Sequence, residues 1–102
     1  MRSEKTYDPH ALTEKQWSEQ VLDMCRLGGW KYYHTYDSRR SVHGFPDLVL
    51  VRERVIFVEL KSPNGKLTGY QGEWISRLRQ AGADAQVWRP EDFERIQRLL
   101  LG

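Results

Sequence analysis

The chain has 102 residues, of which 29% are charged and 39% hydrophobic, and this is the size and composition of one small globular domain. A net charge of only +2 excludes a strongly polybasic chain, and the single cysteine, Cys25, excludes an intramolecular disulfide. No apolar stretch is long enough to span a membrane and no signal-peptide pattern is present. We therefore expect a cytoplasmic protein without a membrane partner.

The first predicted helix follows a polar segment. Residues 1–12 are mixed and polar and predict a flexible N-terminal arm, which leaves residues 13–102 as a single domain. Thr13 is a good N-cap, and Gln16 three residues later completes a capping-box pattern. Apolar residues at spacings of three and four then continue to Leu27, where a glycine pair ends the helix. The predicted apolar face consists of Trp17, Val21, Met24, Cys25 and Gly28.

Two acids on this helix differ in position. Glu14 lies one turn before Trp17 and shares its apolar face, whereas Glu19 lies nearly opposite, on the wet side. Glu14 at the rim of a core-facing stripe can reach toward the end of a sheet. Alternatively, it is an ordinary first-turn acid that suits the helix dipole.

An aromatic segment and a polar loop come next. Residues 30–36 are rich in aromatic side chains and predict a first strand. The loop over residues 37–43 contains Ser38, Arg39 and Arg40. Paired arginines in a loop are usually solvated, but beside an acidic site they are well placed to hold a phosphate by bidentate contacts.

A β-hairpin places three charged residues at one end of the sheet. Residues 48–51 and 55–61 are two runs rich in β-branched side chains, separated by a short charged break. Asp47 comes just before the first run, and Glu59 and Lys61 come at the end of the second. In an antiparallel pair, the start of one strand lies beside the end of the next, so we expect these three residues to lie together.

Two carboxylates and an ammonium at the end of apolar strands are costly unless they are paired or bind a ligand. A divalent cation relieves the repulsion between the carboxylates, and hard oxygen ligands suit Mg²⁺ or Mn²⁺. The alternative is an ordinary ion pair between Glu59 and Lys61 at the surface. Because such a metal prefers oxygen ligands, we interpret His34 and His43 as structural or DNA-facing.

The rest of the chain predicts a turn, a helix, a strand and a helix. Residues 62–66 form the turn, and Thr68 with Gln71 makes a second capping-box pattern. A strand over residues 85–88 is ended by Pro90. The predicted apolar positions are Tyr70, Trp74, Ile75, Leu78 and Ala81 in the second helix and Phe93, Ile96, Gln97 and Leu100 in the last. The order αβββαβα predicts a four-stranded mixed sheet flanked by helices.

These residues resemble a nuclease family. Pro46-Asp47 followed by Glu59-Leu60-Lys61 resembles the PD-(D/E)XK motif, and the chain is more narrowly similar to the stand-alone VRR-NUC domains found in phages and bacteria. The resemblance covers nearly the whole chain from Thr13 to the last helix. Its features are Glu14, Asp37-Ser38-Arg39-Arg40, Gly44-Phe45-Pro46-Asp47, Glu59-Leu60-Lys61, and Gln71 leading to Trp74.

The resemblance implies a restriction-endonuclease-like fold and a Mg²⁺- or Mn²⁺-dependent nuclease that hydrolyses DNA phosphodiesters. The positions that match the family's metal ligands are Asp47, Glu59 and the backbone carbonyl of Leu60, and Lys61 matches its catalytic lysine. Glu14 matches the first-helix acid, with Glu19 as the replacement if the alignment of that helix is shifted. Gln71 matches the glutamine that opens the helix after the lysine.

The resemblance also bears on partners. Single-domain members of this family are similar to dimeric Holliday-junction resolvases, which implies a homodimer that acts on branched DNA. The candidate DNA contacts that flank the acidic site are Ser38, Arg39, Arg40 and Lys66. Two other functions remain open from the sequence: a DNA junction- or end-binding module without cleavage, and a subunit with a vestigial acidic site.

Overall fold

The computed structural model describes residues 12–35 and 42–102, so nearly all of the predicted arm lies outside the described part. The predicted order αβββαβα is confirmed, with one added 3₁₀ turn before the last helix. The elements are α1 (Glu14–Leu27), β1 (Lys31–His34), β2 (Leu48–Val51), β3 (Val55–Leu60), α2 (Gly69–Gln80), β4 (Asp84–Trp88), the 3₁₀ turn (Pro90–Asp92) and α3 (Phe93–Leu101).

The four strands form one mixed sheet in the order β1-β2-β3-β4. Strand β2 pairs antiparallel with both β1 and β3, and β4 is parallel to β3 because α2 carries the chain back across the sheet. Leu48 pairs with Val58, and Val51 pairs with Val55. This register places the start of β2 beside the end of β3, as the hairpin pattern predicts.

The main hydrophobic core lies between one face of the sheet and helices α1 and α3. Both predicted capping boxes are present, and they start α1 at Thr13 and α2 at Thr68. The predicted buried face of α1 is confirmed for its four large residues. The core combines these with the even-numbered residues of β2 and β3, with Trp88, and with Ile96 and Leu100 of α3. Helix α2 contributes Ile75 on the opposite face, next to β4.

The carboxyl ends of α1 and α3 meet at Arg52. The Arg52 guanidinium donates hydrogen bonds to the carbonyls of Gly28 (2.9 Å) and Leu100 (3.4 Å) and lies 4.5 Å from the centre of the Trp30 ring. The Trp30 indole N–H also donates to the Leu100 carbonyl at 3.0 Å. Gly28 is required here, because a Cβ atom would lie only 1.9 Å from the Leu100 oxygen. The positive charge of Arg52 therefore lies at the negative ends of two helix dipoles.

Several boundaries and faces differ from the sequence prediction. Gln97, predicted on the apolar face of the last helix, is exposed. Strand β1 is shorter than the predicted residues 30–36, because Trp30 is buried and used to cap α3, while residue 36 lies outside the described residues. Tyr70 and Ala81 are exposed rather than part of the apolar face of α2. They lie in the first turn and at the C-cap of that helix, beyond the part that contacts β4.

Within the described ranges, none of the helices combines the length and the apolar character that crossing a bilayer requires.

Candidate active site

Asp47 is held at the end of the sheet by backbone contacts on both sides. The amide N–H of Leu60 donates to Oδ2 of Asp47 at 2.8 Å, and the amide N–H of Thr35 donates to the Asp47 carbonyl at 2.8 Å. These bonds tie the residue before β2 to the end of β3 and to the segment after β1. The predicted convergence of Asp47 with the end of the second strand is therefore present.

Glu59 is a buried carboxylate beside a second carboxylate. The residue is only 1% exposed, and within the described residues neither oxygen of its side chain has a hydrogen-bond partner. Burial, followed by repulsion from Asp47, raises the pKa of Glu59 to about 8, although Lys61 opposes the rise. An ionised Glu59 in this place lacks the donors that normally stabilise a buried carboxylate, so the site favours either a proton or a cation.

Lys61 lies beside Glu59 but donates no hydrogen bond to its carboxylate. The distance from Nζ of Lys61 to Oε2 of Glu59 is 3.9 Å, which is an ion-pair distance and too long for a hydrogen bond. Lys61 is 7% exposed, and its amide N–H extends the sheet by donating to the Trp88 carbonyl at 3.0 Å. The alternative interpretation of an ordinary surface ion pair is therefore contradicted, because both partners are buried.

A turn after Lys61 is clamped by Arg89, a residue that no sequence pattern singled out. The Arg89 guanidinium donates to the carbonyls of Ser62 (2.8 Å) and Gly65 (2.5 Å). A Cβ atom at Gly65 would lie 3.5 Å from Cδ of Lys61, so this turn lies directly over the lysine side chain. Arg89 follows β4 and holds the turn against the strand end that carries Lys61.

The first helix contributes acids to the same region. A cleft of about 660 Å³ lies between α1 and the sheet end, and Glu14, Asp47 and Leu60 are among the residues that line it. The charge of Glu14 contributes to the raised pKa of Glu59, so Glu14 lies within electrostatic range of the buried acid. The remaining lining residues are Lys15, Ser18, Glu19, Leu22 and His34. Both candidate acids of this helix therefore border the cleft, and only Glu14 acts on Glu59.

Within the described residues, Gln71 and Lys66 make no hydrogen bond or ion pair with the two carboxylates. The side-chain oxygen of Gln71 accepts from the Thr68 amide N–H at 2.9 Å, so Gln71 acts as a helix cap in this conformation. Lys66 is exposed in the segment before α2 and makes no ion pair with the acids of the described ranges. The predicted DNA contacts Ser38, Arg39 and Arg40 lie outside the described residues.

The donor set fits Mg²⁺ or Mn²⁺. Glu59 supplies two oxygens that have no hydrogen-bond donor among the described residues, and Asp47 and Leu60 add further hard oxygens at the same strand end. In the parts of the chain that the structure describes, no three His, Cys, Asp or Glu residues form a metal cluster by themselves. A site with two carboxylates is still sufficient for Mg²⁺, which usually completes its coordination with waters and substrate phosphates.

The segment that leads into Asp47 is packed onto α2. Gly44 has a φ of +90°, and a Cβ atom there would lie 2.5 Å from the backbone carbon of Tyr70. The Trp74 indole N–H donates to the His43 carbonyl at 3.2 Å, and the Phe45 ring packs edge-on against Trp74 at 5.1 Å. The sequence resemblance pointed to Gly44 and Trp74 without a role. The structure shows that they dock this segment and thereby fix the approach to Asp47.

Comparisons with known proteins agree with this fold. A family model of the VRR-NUC domain matches residues 4–91. A UPF0102 protein of Magnetococcus marinus is 36% identical over 83 residues, which cover 76% of this chain and 67% of that protein. Fanconi-associated nuclease 1 of Danio rerio is 29% identical over 98 residues, which cover 70% of this chain but only 10% of that protein.

Two solved structures described as VRR-NUC domains are also similar. The first has a TM-score of 0.68 and 26% identity, and the match covers 84% of this chain and 91% of that one. The second has a TM-score of 0.66 and 22% identity over 89% of this chain and 91% of that one, and it supports the fold alone. Because the family model spans most of the chain and the fold agrees, the chain belongs to the VRR-NUC domain family.

Proposed function

We propose that this protein is a Mg²⁺- or Mn²⁺-dependent nuclease that hydrolyses phosphodiester bonds of DNA, acting as an endonuclease. The observation that carries the proposal is the buried Glu59 carboxylate, which has no hydrogen-bond donor in the described ranges and lies beside Asp47 and Lys61. Membership of the VRR-NUC family and similarity to a protein named as a nuclease support the same function.

The proposed metal ligands are Asp47, Glu59 and the backbone carbonyl of Leu60. The hydrogen bond from the Leu60 amide leaves one oxygen of Asp47 for other contacts and fixes the orientation of its carboxylate. A divalent ion held there would stabilise charge on the phosphate and lower the pKa of a bound water. Glu14, at the edge of the same cleft, is proposed to orient that water or to add a further ligand.

Lys61 is proposed to orient the attacking water and to stabilise negative charge on the phosphate. Its ammonium lies 3.9 Å from Oε2 of Glu59, so its positive charge is present at the proposed metal site. The Arg89 clamp on the following turn limits the positions that the Lys61 side chain can take. Gln71, at the start of α2, is proposed to contact the substrate after its cap to Thr68 is released.

The substrate and assembly are also proposals. We propose that the protein acts as a homodimer on branched DNA, including Holliday junctions, since single-domain proteins of this type resemble dimeric resolvases. Lys66 and the loop with Ser38, Arg39 and Arg40 would contact DNA phosphates. Loss of one such contact reduces the slope of log affinity against log salt by about one unit.

A cleavage assay tests the function. Wild-type protein and Asp47→Ala are incubated with flap, four-way-junction and linear duplex DNA, with Mg²⁺, with Mn²⁺ or with a chelator. We expect cleavage only with a metal, and a loss of roughly 10²–10³ in rate for Asp47→Ala. Asp23→Ala is the matched control, because this acid is exposed on α1 and pairs only with Arg26 among the described residues.

The outcomes separate the candidate functions. Cleavage that survives chelation or Asp47→Ala contradicts the metal mechanism. DNA binding without cleavage by the wild-type protein favours a binding module. Light scattering of the protein alone and with a four-way junction tests the homodimer, and a monomer under both conditions contradicts that part of the proposal.

A further inference from the structure

Two aromatic side chains remain exposed near the candidate active site. The rings of His43 and Tyr70 lie 5.7 Å apart, centre to centre, with an angle of 38° between their planes. Tyr70 is 63% exposed, and the neighbouring Val42 is 73% exposed. Exposed aromatic rings are the groups on which proteins stack unpaired bases, because every base has a π face.

The backbone of this ring pair is held in place by contacts with neighbouring residues, and these contacts do not use the outer faces of the two rings. Gly44 lies against the backbone of Tyr70 so closely that no Cβ atom would fit. The Trp74 indole N–H holds the His43 carbonyl, and Phe45 packs between Trp74 and Phe57. Because these contacts already dock the segment onto α2, the exposed faces of the two rings are available to a ligand.

The ring pair is also close to the proposed catalytic residues. His43 precedes Asp47 by four residues, so the two Cα atoms lie within about 14 Å even if the chain is fully extended. The first turn of α2 carries no acidic residue, and Lys66 is exposed just before it. A nucleic-acid strand that stacks a base on this pair therefore meets no negative charge from that turn, and the separation from Asp47 corresponds to a few nucleotides of DNA at most.

We propose that His43 and Tyr70 form a stacking site for an unpaired nucleobase of the substrate strand that is cut. The proposal rests on the proposed nuclease function and names its substrate class: DNA with at least one unpaired base within a few nucleotides of the scissile phosphate. A flap or an open junction supplies such a base, whereas a continuous duplex does so only after a base is unstacked.

A chemical double-mutant cycle tests this interaction. A fluorescein-labelled flap with a short single-stranded arm is compared with a series of flaps that lack one base at successive positions. Affinity for wild-type protein, Tyr70→Leu and Tyr70→Phe is measured by anisotropy in the presence of a chelator, so that no DNA is cut. Tyr70→Leu keeps an apolar side chain without a π face, and Tyr70→Phe keeps the ring.

We expect Tyr70→Leu to bind the intact flap roughly ten-fold more weakly than wild type, while Tyr70→Phe binds like wild type. At one position, removal of the base should weaken wild type by a similar factor and leave Tyr70→Leu unaffected, because the two changes remove the same contact. Thermal melting of each variant shows whether it is folded. If Tyr70→Leu is unfolded, His43→Leu is used in the same cycle.

Additive effects at every position overturn the proposal. Folded Tyr70→Leu that binds the intact flap as tightly as wild type also overturns it. A cycle in which Tyr33→Leu, rather than Tyr70→Leu, couples to the missing base overturns it as well. Tyr33 is a fair competitor, since it is 65% exposed on β1. Cleavage of the same flap by wild-type protein with Mn²⁺ is measured in parallel. Coupling without cleavage supports the stacking site and contradicts the proposed nuclease function. Cleavage without coupling supports the nuclease function and contradicts the stacking site.

Discussion

The charged groups at the two ends of the sheet have different surroundings. At one end, the Arg52 guanidinium has two backbone carbonyls, the Glu53 carboxylate and the Trp30 ring as partners. At the other end, Glu59 is more deeply buried, has no hydrogen-bond donor in the described ranges and lies beside Asp47. The contrast also shows in the acids, because Arg52 lowers the pKa of Glu53 to about 2, whereas the pKa of Glu59 rises to about 8.

From this difference we propose that the Arg52 end serves stability and the Glu59 end serves function. The Arg52 guanidinium already has hydrogen-bond partners and joins the ends of α1 and α3, so a ligand would not stabilise it further. A buried carboxylate without donors makes the metal-free fold less stable, and such local costs are typical of binding and catalytic sites. We therefore expect changes at Glu59 to separate stability from activity, and changes at Arg52 to affect stability alone.

The largest expected effect is on the pH dependence of stability without metal. Because the pKa of Glu59 is raised in the folded state to about 8 from its ordinary value of 4.5, the folded state binds more protons than the unfolded state between these two pH values. The contribution of Glu59 to the free energy of unfolding is therefore fully present below about pH 4.5. It is lost as the pH rises toward 8, by at most about 5 kcal/mol. Urea unfolding from pH 4.5 to 8.5 in a chelator measures this loss.

Two comparisons sharpen that measurement. Glu59→Gln should have a flatter stability profile than wild type over the same range, and Mn²⁺ should restore wild-type stability most strongly near pH 8, where the carboxylate releases its proton to bind the cation. Identical profiles for wild type and Glu59→Gln would show that Glu59 does not titrate in this range.

Glu59→Gln itself should reverse the usual relation between stability and activity. We expect cleavage to fall by roughly 10²–10³, because an amide is a poor ligand for a divalent cation and cannot balance its charge. The same variant should melt at a higher temperature than metal-free wild type at pH 8. Glu53→Gln is the matched control at the opposite end, since Glu53 pairs with Arg52 at the surface, and it should cleave like wild type. Equal losses in both variants would abolish the contrast between the two ends.

Arg89→Ala should have an intermediate effect. It removes the two hydrogen bonds that hold the turn over Lys61, so we expect cleavage to fall by roughly ten-fold through misplacement of the lysine. Single-turnover cleavage at saturating Mn²⁺ measures the rate, and anisotropy measures DNA affinity. An unchanged rate together with weaker DNA binding would assign Arg89 to the DNA surface instead.

Arg52→Ala should have the smallest effect on cleavage. It leaves the ends of α1 and α3 without their shared cation, so we expect the melting temperature to fall by several degrees. The rate per folded molecule should stay at the wild-type value below the transition. A loss of cleavage in fully folded Arg52→Ala would mean that the two ends of the sheet are coupled.

Much of the fold follows from patterns that are local in the chain. The capping boxes at Thr13 and Thr68 depend on residues three positions apart, and both form as predicted. The hairpin places Asp47 beside the end of β3 because a short antiparallel connection leaves little choice of register. The errors occur where an element extends past its neighbours, as at Tyr70, since periodicity alone does not show where a packing partner ends.

The sequence by itself determined the order of the elements and the convergence of Asp47 with the end of β3, because strand pairing and helix capping act over short distances. It also determined the family, because the motifs that carry the resemblance are short stretches of the chain. Only the tertiary structure decided that Glu59 is buried without donors among the described residues, that Arg89 clamps the turn over Lys61, and that Tyr70 and His43 are exposed together. Each of these depends on how helices and returning segments pack over the sheet. Desolvation and long-range contacts of that kind arise only when the whole chain is folded.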